Sequence, residues 1–129
     1  MANPNIVSVA TIEGGNLGWN LTNTLTTQLL TVASEYVVKV NRIVCTNVHA
    51  TDAANLNLYV GGMGSGTTGV TVTGGDATVY LAKVISVPAN ASLVVSDTPI
   101  YLMEGDSLKG GSSASSTLDL FVSYETLID

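Results

Sequence analysis

The sequence predicts an all-β protein, a two-sheet β-sandwich of about eight or nine short strands with almost no helix. Apolar and polar residues alternate with a period of two in several segments, and Gly, Asn, Asp or Pro separate those segments. The 16 Thr, 12 Ser and 10 Asn favour strands and turns on the surface. A jelly roll is the expected topology, and a Greek-key barrel is the alternative.

The first expected strand covers approximately residues 5–12. Its apolar residues end at Ile12, and the preceding Asn3-Pro4-Asn5 is unsuited to a regular start. Such a segment forms either an edge strand of its own sandwich or an arm that pairs with the sheet edge of another chain. Residues 1–12 of a single 1–129 domain are therefore the candidate arm or edge strand. The candidate partner-contact residues are Asn3, Pro4, Asn5, Ile6, Val7 and Val9.

Two further strands are expected before residue 50. The run at 25–32 comes nearest to a helical pattern, but its threonines favour a strand. In the run at 36–48, apolar residues alternate as far as Val40 and then occupy both parities. A bulge near Asn41-Arg42, or burial on both faces, explains this change.

The second half of the chain supplies the remaining strands, each marked by alternation or by flanking turn residues. They are expected at 55–60, 79–87, 92–96, 99–103, 107–110 and 117–125. Two Gly/Ser-rich segments, 61–76 and 110–116, interrupt the pattern. We expect these segments to be long surface loops, or a loop with a small hairpin, because strands of the same domain resume on either side.

An acidic turn, Glu104-Gly105-Asp106, lies between the last two short strands. Glycine between two acidic residues is typical of a tight turn, because glycine takes positive φ freely and Asp hydrogen-bonds its own backbone. The alternative is a weak cation site formed by the two carboxylates. The predicted role is the corner of a β-hairpin.

Length and charge limit the classes of partner. At 129 residues the chain has the size of one domain, and four basic against ten acidic residues give a net charge of -6. The basic residues are scattered, whereas nucleic acids and anionic membranes need a concentrated basic surface. Neither is therefore an expected partner. The chain also begins without the basic and long apolar segments of a signal peptide, and its apolar runs are too short to span a membrane.

No set of residues predicts an enzyme, a cofactor site or a metal site. The segment 64–69 matches a phosphate-binding glycine pattern, but neither a helix pattern nor an acidic residue follows it. Cys45 and His49 are about 13 Å apart on a strand, too far for a nucleophilic pair unless the strand ends between them. We expect Cys45 to be a buried, inert thiol and His49 an exposed loop residue. The acidic residues occur mostly singly, which is atypical of a metal site.

Aromatic residues suggest a functional alternative from another class. One Trp and five Tyr are enough for a surface carbohydrate-binding module, although a lone Trp is more often a core or interface anchor. The residues of such a module would be Trp19 and some of Tyr36, Tyr59, Tyr80, Tyr101 and Tyr124.

Three stretches, which together cover roughly residues 36–126, share a recognisable order of strands and turns. They read "YVVKVNRIVCTNVHATDAANLNLYV", "VYLAKVISVPANASLVVSDTPIYLMEGDSLKGG" and "LDLFVSYETL". This order resembles that of small virion structural proteins of tailed bacteriophages, including phages of cyanobacteria. The resemblance implies an all-β particle component without enzymatic activity. It rests on strand and turn patterns, so it carries over no functional residue.

The leading expectation is a capsid cement or decoration protein that stabilises the mature phage head by bridging capsid subunits. Its partners would be the major capsid protein and its own copies in a homotrimer, with the acidic face outward and apolar loops or the arm inward. The protein would be made in the host cytoplasm and would reside on the capsid surface. Repeated contacts gain avidity, and binding only to the assembled shell stabilises that shell. The alternative within this class is a neck, tail or fibre-associated virion protein.

Overall fold

Nine β-strands form the regular structure of the computed structural model, which describes residues 11–62 and 78–128. In chain order they are β1 (Thr11–Asn20), β2 (Gln28–Thr31), β3 (Tyr36–Asn47), β4 (Ala54–Gly61), β5 (Val79–Val87), β6 (Ser92–Ser96), β7 (Ile100–Leu102), β8 (Ser107–Ser112) and β9 (Leu118–Ile128). Over the described ranges, no helix is long and apolar enough to cross a membrane. The predicted all-β class is confirmed.

The strands form two antiparallel sheets whose order is that of a jelly roll. The five-stranded sheet has the order β1-β9-β3-β6, with β7 also paired to β3, and the four-stranded sheet has the order β2-β8-β4-β5. Because β6 and β7 pair with successive halves of β3, they act as one interrupted strand. With these two counted together, the first strand pairs with the last, the second with the last but one, and so on inward. This is the pattern of a rolled-up hairpin, as the sequence predicted.

The core lies between the two sheets and is built from their inward-facing alternate residues. In β9, Leu118, Leu120 and Val122 are buried while Asp119 and Phe121 are exposed. The four-stranded sheet contributes mainly the buried apolar residues of β4, together with Ala82 and Val87 of β5 and Leu108 of β8. Burial of one such side chain contributes about 1.5–3 kcal/mol, so the alternation in the sequence directly specifies which face packs inward.

A β-bulge interrupts β3, where the sequence predicted one. The register between β3 and β9 shifts between Val40 and Arg42, which leaves Asn41 as the extra residue. The bulge restores the inward orientation of Ile43 and Cys45. The change of apolar parity after Val40 therefore reflects the bulge.

The N-terminal strand differs from the predicted one. The strand begins at Thr11 and continues to Asn20, so the prediction at 5–12 misses most of β1, and residues 1–10 lie outside the described ranges. Its glycines concealed it, because they remove the alternating pattern. Gly15 has a packing reason: a Cβ there would lie 2.6 Å from the phenol oxygen of Tyr124. The Tyr124 ring thus occupies the space of the missing side chain.

The acidic turn is not a hairpin corner, so that prediction is wrong. The strand before the turn, β7, pairs with β3 in the five-stranded sheet. The strand after it, β8, pairs with β2 and β4 in the four-stranded sheet. Glu104-Gly105-Asp106 therefore connects one sheet to the other. Which sheet each flanking strand joins depends on its pairing partners, β3 for β7 and β2 and β4 for β8.

The second Gly/Ser-rich segment is only partly a loop. β8 continues through Gly110, Gly111 and Ser112, so the loop predicted at 110–116 is shorter by three residues. Gly110 packs so closely against the backbone of Asn57 that a Cβ would overlap its carbonyl oxygen. Of the other predicted loop, 61–76, residues 63–76 lie outside the described ranges.

Candidate functional site

The predicted arm or edge strand, residues 1–12, lies beyond the described ranges except for Thr11 and Ile12, which are the first residues of the edge strand β1. Its residues Asn3, Pro4, Asn5, Ile6, Val7 and Val9 therefore stay a prediction. The chain enters the described structure at Thr11, which pairs with Ile128 at the end of β9. Ile128 also pairs with Tyr36, the first residue of β3. The arm is thus joined to the sandwich at one end of the five-stranded sheet, at its edge.

The strand that follows the arm is a regular edge strand. All ten residues of β1 pair with β9 in one unbroken register, from Thr11 with Ile128 to Asn20 with Asp119. No other described strand pairs with β1. It contains no proline, and Glu13 is its only charged residue. A long edge without a bulge is open to pairing with another strand.

The edge strand of the four-stranded sheet, β5, has the opposite character. Lys83 and Val84 together lie opposite Asn57, so the strand bulges at this point. Val84 has a φ of 52°, an unfavourable conformation for a β-branched residue, and its N–H donates to Asn57 Oδ1 at 3.2 Å. Bulges and lysines block pairing at sheet edges. The two long edges thus differ, and β1 is the one that can accept a strand.

A groove lies on the outer face of the five-stranded sheet. Gly18, Phe121, Val44 and Val94 are directly paired across β1, β9, β3 and β6 and form an apolar row. Phe121 and Val94 are each 45% exposed. A depression of about 510 Å³ opens beside Phe121, where Gly18 has no side chain to fill it. We call this depression the Phe121 groove.

A polar row borders the Phe121 groove. It lies two residues further along the same four strands and is paired in the same way. Its members are Asn20, Asp119, Thr46 and Ser92. Asn20 Nδ2 donates to Asp119 Oδ1 at 2.7 Å, and the hydroxyls of Thr46 and Ser92 lie 2.9 Å apart. The groove therefore combines an apolar floor with hydroxyl, carboxamide and carboxylate groups on one side. This groove was not predicted from the sequence. The alternation in β9 does indicate that Asp119 and Phe121 lie on the same face of the strand.

The carboxylates of the acidic turn have separate structural partners. Glu104 Oε2 accepts hydrogen bonds from the Glu35 N–H at 2.8 Å and from the Ser34 hydroxyl at 3.4 Å. Asp106 Oδ2 accepts the Met103 N–H at 2.9 Å. Burial raises the pKa of Asp106, and the hydrogen bond from Met103 partly opposes this rise. The turn is thus held by backbone contacts within the chain.

The described acidic residues form neither a metal centre nor a single acidic face. In residues 11–62 and 78–128, no three His, Cys, Asp or Glu side chains converge to hold a metal ion. Glu104 and Asp106 lie near the end of the sandwich where β1 begins, because β7 pairs with the early part of β3. Asp52 and Asp119 lie at the other end. The described acidic residues are therefore spread over both ends of the sandwich, and the orientation expected on a shell stays a prediction.

The cysteine and the histidine do not form a reactive pair. Cys45 is fully buried between the sheets, and burial, reinforced by the negative charge of Asp119, raises its pKa to about 11. His49 lies beyond the end of β3, where its Nδ1 accepts the Asp52 N–H at 2.9 Å. The prediction of a buried thiol is confirmed, and the half-exposed His49 caps a turn.

The aromatic residues proposed for a carbohydrate-binding module do not share one face. Trp19, Tyr36 and Tyr124 are half-buried and pack against the core. Tyr59 and Tyr80 stack at 5.1 Å between ring centres in the four-stranded sheet. Tyr101 is exposed on β7 of the other sheet. The outward-facing aromatic residue of the groove is Phe121. It is not one of the residues proposed for the carbohydrate-binding module.

In the described part of the chain, these features define a small jelly-roll protein with a regular long edge strand at β1, a bulged long edge strand at β5 and a groove on an outer face. No protein-family model, curated protein or solved structure matches the chain.

Proposed function

We propose that the chain is a virion structural protein of a tailed bacteriophage, and within that class a capsid cement protein. It stabilises the mature head by bridging capsid subunits. The observation that carries the proposal is the long regular edge at β1, because the candidate arm, residues 1–12, leads directly into it in the sequence. Strand addition at such an edge joins chains through backbone hydrogen bonds and needs no specialised side chains. The partner is the major capsid protein.

The contrast between the two edges supports a contact of fixed direction. A cement protein has to bind its shell without polymerising, since two open edges would allow copies to add to each other in a chain. In this protein the bulge at Lys83 and Val84 blocks the other long edge, at β5, and the two remaining edges of the described sheets consist only of the short strands β2, β6 and β7. A homotrimer of such units presents three equivalent arms, and simultaneous contacts raise the apparent affinity far above that of one arm.

The structural roles of the reactive groups support a function without catalysis. Cys45 keeps its proton because it is buried, and Asp106 and Glu104 accept hydrogen bonds that hold the turn between the sheets. His49 caps a turn. Groups that are committed to the fold in this way are poor candidates for an acid, a base or a nucleophile.

Binding to capsids tests the proposal. Purified chain is mixed with mature capsids that lack it, and occupancy is measured by co-sedimentation and electron cryomicroscopy. We expect saturable, symmetric binding over the whole head, and loss of that binding in a variant without residues 2–10. The variant should keep the circular dichroism spectrum of the full chain, since β1 to β9 remain.

The control is Val84→Asn, which alters the blocked edge and should bind as the unmodified chain does. Full occupancy by the shortened variant would disprove the role of the arm. Binding confined to one vertex of the head or to the tail would disprove the cement role and support the neck, tail or fibre alternative. No binding to any part of the particle would disprove the virion proposal as a whole.

A further inference from the structure

We propose that the Phe121 groove is a binding site for a neutral saccharide. The inference is independent of the virion proposal, because it rests on the paired rows of the five-stranded sheet alone. Pockets for small ligands typically combine an apolar lining with a few well-placed polar groups and enclose about 300–1,000 Å³. The groove has this composition and a volume of about 510 Å³.

The two rows match the two kinds of surface that a sugar ring presents. One face of a hexose ring carries mainly C–H groups, which pack on aromatic and aliphatic side chains such as Phe121 and Val44. The hydroxyls at the ring edge need hydrogen-bond partners. The neighbouring row provides a carboxylate at Asp119, a carboxamide at Asn20 and a hydroxyl at Thr46. These groups already pair with one another, Asn20 with Asp119 and Thr46 with Ser92, so a ligand across both rows would use their remaining donor and acceptor positions.

Charge and width select the ligand class. Asp119 places a carboxylate beside the groove, which disfavours an anionic ligand. Arg42 pairs with Ser123 on the far side of the apolar row, away from Asp119. The apolar row is one residue wide, whereas a stable protein interface buries roughly 800 Å² on each partner around an apolar core. A neutral saccharide therefore fits this surface better than a protein does.

The groove also contains its own reporter. Trp19 packs against the core and lies in β1 between Gly18 and Asn20 of the groove, so we expect its fluorescence to respond when the groove is occupied. This position makes Trp19 a poor target for substitution, because its removal would also disturb the core. Phe121 is the better target, since its side chain is 45% exposed.

The test is a titration of the full chain with neutral oligosaccharides, namely cellohexaose, maltohexaose, mannohexaose and chitohexaose. Trp19 fluorescence and amide chemical shifts are followed up to about 10 mM sugar, a range that detects weak binding. We expect saturable binding of at least one oligosaccharide, with shifts confined to β1, β9, β3 and β6. Phe121→Ala should weaken it by about tenfold or more. Tyr101→Ala removes an equally exposed aromatic side chain from the same sheet and should leave binding unchanged.

Several outcomes would overturn the assignment. They are the absence of saturable shifts with every oligosaccharide, equal affinity in Phe121→Ala and the unmodified chain, or tighter binding of a sulfated oligosaccharide of the same length. Self-association that Phe121→Ala abolishes would assign the groove to a contact between copies and would overturn the saccharide proposal as well. Thermal unfolding of both variants confirms that each is folded.

Discussion

Burial makes the thiol of Cys45 unreactive. Because only the thiolate reacts, a pKa of about 11 in place of 9.0 lowers the reactive fraction at pH 8 about a hundredfold. We expect the native chain to be inert towards a disulfide reagent at pH 8 over minutes and to react fully in urea. Rapid reaction without denaturant would show that the core around Cys45 opens.

The same pKa shift has a consequence for stability at high pH. The unfolded chain releases the thiol proton near its ordinary value, whereas the folded chain keeps it until about pH 11. The contribution of Cys45 to stability is therefore complete below pH 9 and falls as the pH rises towards 11. Cys45→Ala should reduce the slope of the unfolding free energy in that range, as measured by urea unfolding at several pH values.

Asp106 combines a favourable hydrogen bond with an unfavourable charge. Its pKa is raised by burial, so its contribution to stability falls as the pH rises from its ordinary value, 3.8, through the raised value. Asp106→Asn keeps an acceptor for the Met103 N–H and removes the charge. We expect its unfolding free energy at pH 7 to equal or exceed that of the unmodified chain.

The partner substitution separates the hydrogen bond from the charge. Asp106→Ala leaves the Met103 N–H without its acceptor and should cost about 1 kcal/mol in urea unfolding at pH 7. If Asn and Ala at this position were equally destabilising, the negative charge itself would be required, contrary to the interpretation given to the turn.

At the scale of the elements, β8 is defined by close backbone contacts. A Cβ at Gly111 would lie 2.8 Å from the carbonyl oxygen of Thr22 and 2.9 Å from that of Thr24. Backbone atoms cannot move aside as a flexible side chain does, so Gly111→Ala should cost about 1–3 kcal/mol. Gly14→Ala is the matched control, because no atom lies within 4 Å of its Cβ. Urea unfolding of both variants measures the difference, and equal stabilities would contradict the packing of β8.

The strands also differ in how well they can be predicted from the sequence. Alternation located β5 and β9, and the change of parity at Val40 located the bulge in β3, because burial on one face is a local pattern. β1 escaped prediction because its glycines break the alternation, and the reason for one of them, Gly15, is the ring of Tyr124, which is distant in sequence. The turn at Glu104 was misassigned for a similar reason: its direction depends on which sheet accepts β8.

The candidate site has the same dependence on distant partners. The parity of β9 alone places Asp119 and Phe121 on one face. The groove arises only when Gly18, Val44 and Phe121 meet through the registers of three strands. Residues separated by about a hundred positions in the sequence thus form a single row, which no local pattern predicts.

For the molecule as a whole, the jelly-roll order determines where the chain can meet others. The first strand pairs with the last, so β1 covers the side of β9 and itself becomes the edge. The arm therefore continues from the one long edge that no bulge interrupts. The topology therefore joins the N-terminal segment, whose sequence is unsuited to an independent strand, to β1, the edge best suited to pairing with a strand of another chain.

The mass of the chain in solution tests this view of the molecule. One copy weighs 13.2 kDa, and the proposed homotrimer about 40 kDa. We expect light scattering coupled to size exclusion to give the trimer mass for the full chain, and the same mass for Lys83→Ala at the blocked edge. A mass that fell to that of one copy when residues 2–10 were removed would place the arm between the subunits of the trimer. A trimer that survived the deletion would show that the arm does not hold the trimer together, in agreement with a contact between the arm and the capsid protein. A full chain of 13.2 kDa at every concentration would contradict a trimer in solution and would favour a monomeric neck or fibre component.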